Sequence, residues 1–423
     1  MRVVIIGNGI TGVSAAIRIR QLQPTWEINI ISGESSYHYS RPAMMYIFMG
    51  HMTYEGTKPY ADSFWGEQRI GLLKQWVTKI DIENKKLYLN TTRILPYDKL
   101  LIATGSKSNR FDWVGDHLNG VQGLYNLDDL KLLYRNVEKT KQAVIVGGGL
   151  IGIELGEMLY SRHIEVTFLI REKSYWNNIL PIEESTMINR VINERGISLV
   201  TGTNLKEIIG DRNGQVKAVR TEFEETLDCQ LVGLTPGVSP NIDLIHSTPI
   251  ASARGIQVDL SFRTNIPDVF AAGDCAEIFI NDECPNLIQQ VWYTGKKQGN
   301  IAGEVMAGKE VDYCPGIWYN SAKFFDLEYQ TYGLVSNKPG PGERHLFWEH
   351  KSHRHSIRLV EKGDRIKGFI FMGIRARQEV CEKWIEEKRS LPYVINNLRE
   401  IRFDPEFSVS YEKEIAQSLK EQI

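Results

Sequence analysis

Val3-Val4-Ile5-Ile6-Gly7-Asn8-Gly9-Ile10-Thr11-Gly12 is the stretch on which the fold turns. Four apolar residues of buried-strand type run into Gly-x-Gly-x-x-Gly, and helix-compatible residues follow from Val13 to Gln23. A second apolar run, Ile28-Asn29-Ile30-Ile31, completes strand, glycine turn, helix, strand. The whole order then recurs. Ala143-Val144-Ile145-Val146-Gly147-Gly148-Gly149-Leu150-Ile151-Gly152 leads into a helical stretch, Ile153 to Arg162, and on to Val166-Thr167-Phe168-Leu169-Ile170. With 36 glycines in 423 residues, one bare match arises by chance roughly 0.25 times per chain. Two matches, each framed by strand, helix and strand, point to a built feature.

The chemistry of such a turn is direct. Its first glycine permits the tight bend, the second lets the backbone approach a pyrophosphate, and the third lets helix pack closely on strand. The pyrophosphate sits on unpaired N–H groups at the helix start, where the dipole favours negative charge. Two such units predict two dinucleotides bound by one chain.

Working outward, Lys99-Leu100-Leu101-Ile102-Ala103-Thr104-Gly105 and Leu231 to Gly237 read as strands ending in small-residue turns. Thr264 to Asp274 reads as a third, ending on Gly273-Asp274, and Asn286 to Met306 as a helix interrupted by Gly295 and Gly299. Beyond about residue 311 the character changes. A loop, Lys338-Pro339-Gly340-Pro341-Gly342, precedes a hairpin of Ser356–Val360 and Ile366–Met372. Ile374 to Lys388 reads as helical, and the last dozen residues as a polar helix or tail.

Composition sets the outer bounds. The chain is 42% hydrophobic and 24% charged, which supplies several cores and excludes disorder as its main state. Fifty basic against 52 acidic residues give a net charge of -2, which calls for neither nucleic acid nor an anionic membrane as partner. No run reaches 18 apolar residues without a charge, so no membrane-spanning helix is expected. After Met1 and Arg2 the chain enters its first strand with no secretory signal, which points to the cytoplasm. Cys229, Cys275, Cys284, Cys314 and Cys381 are odd in number and widely spaced, so reduced, space-filling cysteines are expected. His345, His350, His353 and His355 cluster, with His353 and His355 on one strand face, but no cysteine joins them and no metal site is expected.

These motifs together resemble the pyridine nucleotide–disulfide oxidoreductase superfamily, and within it the FAD-dependent reductases, with rubredoxin reductases and the flavin domain of assimilatory nitrite reductase as relatives. The resemblance covers about residues 1–310. It implies an α/β fold of two Rossmann-like dinucleotide-binding domains, with the FAD domain interrupted by the NAD(P)H domain, plus a smaller α+β C-terminal domain. The boundaries it implies are 1–113 and 242–310 for FAD, 114–241 for NAD(P)H, and 311–423 for the C-terminal interface domain.

Residue by residue, Gly7, Gly9 and Gly12 match the FAD pyrophosphate turn. Ser32-Gly33-Glu34 occupies the place where an acid holds the adenosine ribose, and Glu34, a residue or so beyond the usual spot, is the expected ligand, the plain alternative being an exposed turn glutamate. Arg41, in Tyr39-Ser40-Arg41-Pro42, would be a fixed cation near the flavin phosphates or ring, the alternative being a surface arginine. Thr104-Gly105 matches a turn that abuts the cofactor, and Gly273-Asp274 the motif whose aspartate accepts a hydrogen bond from a ribityl hydroxyl. Asp274 is also expected to cap a helix. Cys275, directly after it, would sit at that helix start, with a redox role the minor reading. Trp292 and Gln298 lie on the helix expected under the pyrimidine end of the flavin. Gly147, Gly149 and Gly152 match the NAD(P)H turn. There Ile170 replaces the acid that binds a 2′-hydroxyl, and Arg171 follows, which favours NADPH over NADH.

Glu154 matches a glutamate that pairs in relatives with a lysine near flavin N5. Here the segment carries Tyr46 at about that position, so Tyr46 and Glu154 are the catalytic candidates, and Tyr46 is expected to hydrogen-bond Glu154. Residues 35–60 contain no cysteine, so no protein disulfide passes electrons beside the flavin. The resemblance implies hydride transfer from NAD(P)H to FAD and then electrons to an acceptor. That acceptor is a small redox protein such as rubredoxin or ferredoxin; the alternatives are oxygen or a quinone, or a redox-sensing subunit with little turnover. A homodimer through the C-terminal domain is a family expectation.

Overall fold

The computed structural model describes residues 1–281, 286–407 and 409–422. Cys284 lies outside them. The chain divides into two compact units. One comprises Met1–Arg110, Gly123–Arg135 and Gly237–Cys314; the other comprises Phe111–Gln122, Asn136–Pro236 and Pro315–Ile423.

In the first unit five parallel strands stand in the order Val269–Ala271, Lys99–Ile102, Arg2–Ile6, Glu27–Ile31, Ile70–Leu73. The motif-bearing strand is central. Val3, Val4 and Ile5 are buried on both faces, which is why the run reads as continuously apolar. Sequence neighbours lie to one side of it and later strands to the other, so the strand order reverses at this strand. That reversal opens a crevice at its carboxyl end, where ligands bind in open α/β sheets. The helices Ile10–Leu22 and Trp292–Met306 pack closely because Gly295, Gly299 and Gly303 line one face of the second. A Cβ at Gly299 would stand 2.2 Å from the carbonyl oxygen of Thr11.

The second unit repeats the plan in the order Ser198–Thr201, Glu165–Ile170, Gln142–Val146, Leu231–Leu234, Val121–Gln122, again all parallel. It also holds a five-stranded antiparallel sheet, in which Ser356–Lys362 and Ile366–Met372 form the expected hairpin. The helices Gln378–Glu386, Leu391–Asn396 and Glu412–Lys420 contribute to the core against that sheet, around Phe369, Phe371 and Trp384.

Four local readings need correction. The helix expected from Asn286 begins at Trp292, after an extended Val291. The helix expected over 374–388 is shorter, Gln378–Glu386. No helix follows Asp274: Ala276–Ile278 is a strand paired with Ile256–Val258, so Asp274 caps nothing and Cys275 is not at a helix start. His353 and His355 share no strand face, because they lie in the turn between Glu343–Glu349 and Ser356–Lys362, with His353 at φ 57°.

Candidate functional site

Each glycine turn is shaped by what surrounds it. Gly7 has φ 111° and Gly147 φ 123°, conformations that side chains rarely adopt. A Cβ on Gly7 would stand 2.1 Å from the Ala103 carbonyl oxygen, and one on Gly147 2.4 Å from that of Thr235. The third glycine of each turn is equally confined: a Cβ on Gly12 or Gly152 would lie 2.1 or 2.7 Å from the carbonyl of the first glycine. The middle glycines differ from both. A Cβ on Gly9 or Gly149 would meet nothing within 4 Å. Packing therefore accounts for the outer glycines, and open space faces the middle ones, as a backbone approached by a ligand requires.

The helices that follow are prepared in the same sense. Neither Ile10–Leu22 nor Leu150–Tyr160 carries a side-chain cap or an acidic residue in its first turn. Their first N–H groups thus keep donors and positive potential for an anion.

In the first turn Asn8 bridges to the loop beyond the second strand. Its amide donates to the Ser35 carbonyl at 2.9 Å and the Ser35 hydroxyl at 3.0 Å, and its carbonyl accepts from the His38 ring at 2.8 Å. Burial pushes the His38 pKa down, so the ring is neutral and Nδ1 carries the donated proton. Glu34 is held by its surroundings: Arg41 pairs with it at 2.8 Å, Leu127 N–H donates to it at 3.1 Å, and the Tyr39 hydroxyl bonds to it. Arg41 also stacks on the Tyr125 ring, 4.6 Å from its centroid, and donates to the Tyr125 carbonyl. Both residues are thus parts of one ion-paired aromatic cluster.

Asp274 is brought beside Thr104-Gly105. The Ser106 hydroxyl donates to its carboxylate at 2.9 Å, and the Gln290 amide donates to Ser106 at 2.8 Å. Burial raises the Asp274 pKa, opposed by the Ser106 hydrogen bond and Arg41. Gly273, at φ 83°, donates its N–H to Gln298 at 2.8 Å, and the Thr104 hydroxyl donates to the Asn241 carbonyl at 2.6 Å. Trp292 opens its helix half-buried, with Lys296 over its ring. The Cys275 thiol is fully buried and donates to the carbonyls of Ile102 and Ala272; burial raises its pKa, the reverse of a reactive thiolate. Tyr46 is half-buried in the helix Met44–Phe48, its ring 6.1 Å from that of His51.

In the second turn the brace is a phenol. Tyr175, wholly buried, donates its hydroxyl to the Gly149 carbonyl at 2.9 Å. Glu154 lies one turn into the helix. Burial, assisted by Glu157, pushes its pKa up to about 7. Arg171 is 73% exposed and pairs with Glu172 at 2.9 Å. Ser106, His38, Tyr125 and Tyr175 carry no signal in the sequence, since none belongs to a spaced motif. Among the described residues, no group of three or more His, Cys, Asp or Glu is arranged to hold a metal. No helix there is long and apolar enough to cross a membrane.

Known proteins give the same plan. Residues 1–299 match the family described as Pyridine nucleotide-disulphide oxidoreductase. A rubredoxin-NAD(+) reductase of Acinetobacter baylyi is 29% identical over 284 residues, covering 65% of this chain and 72% of that one. An NADH-rubredoxin oxidoreductase of Clostridium acetobutylicum is 25% identical over 404 residues, covering 94% of this chain and 99% of that one. The crystal structure of a ferredoxin reductase from Rhodopseudomonas palustris superposes with a TM-score of 0.81 at 23% identity, over 88% of this chain and 91% of that one.

Proposed function

The chain belongs to the pyridine nucleotide-disulphide oxidoreductase family, and from that premise we propose that it takes hydride from NAD(P)H and hands electrons on to a small redox protein. FAD, the family's flavin, supplies the chemistry that accepts a hydride and releases electrons. The observation that carries the reading is the pair of open middle glycines, each at an uncapped helix start on the central strand of its own parallel sheet.

The roles proposed for the residues rest on the family resemblance. Gly7, Gly9 and Gly12 hold the FAD pyrophosphate; Gly147, Gly149 and Gly152 hold that of NAD(P)H. Asp274, kept in place by Ser106, accepts from the ribityl chain, and Thr104-Gly105, Gly273 and Trp292 are assigned to the same cofactor. Arg41 supplies a fixed positive charge near the flavin, with Glu34 tethering it as well as facing the ribose. Tyr46 and Glu154 are assigned to catalysis on the family resemblance. Arg171 favours the 2′-phosphate of NADPH. We propose domains of 1–113 with 242–310, 114–241, and 311–423, the last mediating a homodimer. A cytoplasmic location, where thiols stay reduced, is part of this reading; the four cysteines among the described residues are free.

A rubredoxin or a ferredoxin is preferred as acceptor over oxygen because the relatives named above are reductases of those proteins; the absence of cysteine from residues 35–60 sets aside a disulfide beside the flavin. A steady-state assay tests this. Fast NAD(P)H oxidation only with an added rubredoxin or ferredoxin is expected; equal oxidation with oxygen alone would refute it.

A further inference from the structure

Of the nine tryptophans, Trp76 alone is exposed, at 58%. It lies just past the carboxyl end of the strand Ile70–Leu73, the neighbour of Glu27–Ile31 in the first unit. Its backbone is fixed: Trp76 N–H donates to the Asn90 side chain at 3.1 Å, and Asn90 N–H returns a bond to the Trp76 carbonyl at 2.8 Å. Its ring rests on Gly33, where a Cβ would stand 2.1 Å from two ring carbons. Gly33 therefore makes room for an indole that is held in place yet leaves most of its surface to solvent.

The position has a chemical meaning. A dinucleotide with its pyrophosphate on the first turn runs its adenosine toward the end of the second strand, where the ribose lies. The base then falls beyond it, toward the third strand. Two strand spacings, about 10 Å, separate the first strand from the third, the scale of an adenosine measured from its phosphate. We propose that Trp76, seated on Gly33, is the stacking platform for the adenine of the dinucleotide held by Gly7, Gly9 and Gly12, and so a residue that selects FAD over FMN. This rests on the reading of the first turn given above and adds to it the residue that recognises the base. Indoles stack on bases without needing a hydrogen-bond code.

The test uses the full chain freed of flavin and titrated with FAD or FMN. Trp76→Ala should weaken FAD binding at least about fivefold and leave FMN binding unchanged within twofold; Trp76→Phe should recover most of the loss. FAD should quench less tryptophan fluorescence in Trp76→Phe than in the wild type. Gly33→Ala should reproduce the loss by displacing the ring, and the double variant should be no worse than Trp76→Ala. Equal weakening of FAD and FMN, or no change in FAD affinity, would overturn the platform while leaving the first turn intact as a FAD site. A wild-type chain that takes up no FAD would overturn both.

Discussion

The two glycine turns share their geometry and differ in what holds them. Gly7 and Gly147 are locked by carbonyls of a neighbouring strand end, and Gly9 and Gly149 face open space in the same way. Yet the first turn is braced through Asn8 by Ser35 and His38, and the second through the Gly149 carbonyl by Tyr175. The backbone demand of a dinucleotide fixes the motif, while the scaffold that stiffens it is free to vary. A cofactor retained through many turnovers and a substrate that leaves after each one need different rigidity, and the buried polar bridge of Asn8 falls to the turn proposed for flavin.

Substitutions should separate these layers. The largest effect is expected at the locked positions. Gly7→Ala or Gly147→Ala adds a side chain at a positive φ against a backbone oxygen, costing about 3 kcal/mol or more; a loss below 1 kcal/mol in denaturant unfolding would contradict the close packing. Gly9→Ala and Gly149→Ala come next and divide by ligand. Each should leave stability within about 0.5 kcal/mol. Gly9→Ala should reduce bound flavin about tenfold or more, whereas Gly149→Ala should raise KM for NAD(P)H by that factor with flavin content unchanged. If both variants lost the same ligand, the two-site reading would fail.

Tyr175→Phe removes one hydroxyl from the part-buried Gly149 carbonyl and should cost about 1 kcal/mol of stability. A severalfold rise in KM for NAD(P)H is expected with it, and flavin content measured by absorbance should not move. The smallest effect is a matter of pH. Burial lowers the His38 pKa below its ordinary 6.5, so the folded protein disfavours the protonated ring. Its stability contribution is whole above the unfolded value and is lost as pH falls through about 6.5, with a slope of at most about 1.4 kcal/mol per pH unit. Thermal melts from pH 7.5 to 5 should show that slope in the wild type and a shallower one in His38→Gln.

What the sequence made legible follows from the same distinction. The turns and their strands can be read because a positive φ at Gly7 and a strand buried on both faces demand particular residues at particular spacings. The braces cannot, because Asn8 meets His38, and Gly149 meets Tyr175, only after the chain has folded back. Asp274 illustrates the limit. Its position beside the cofactor motif is readable, but the helix expected after it is a strand, because Ala276–Ile278 finds Ile256–Val258 as partner and distant pairing overrides local preference. His353 and His355 misled for a related reason: alternation suits a strand, and nothing local announces that His353 adopts φ 57° in a turn. Ser106 became part of the site only through the fold that sets it against Asp274 and Gln290.

On the reading proposed here, one chain holds a flavin on its first turn and is reduced from its second. An anaerobic absorbance titration of the purified protein tests it most directly. A yellow protein with one FAD per chain, bleached by about one equivalent of NADPH or NADH, is expected. A colourless protein that takes up no FAD, or a yellow one that neither nucleotide bleaches, would contradict it.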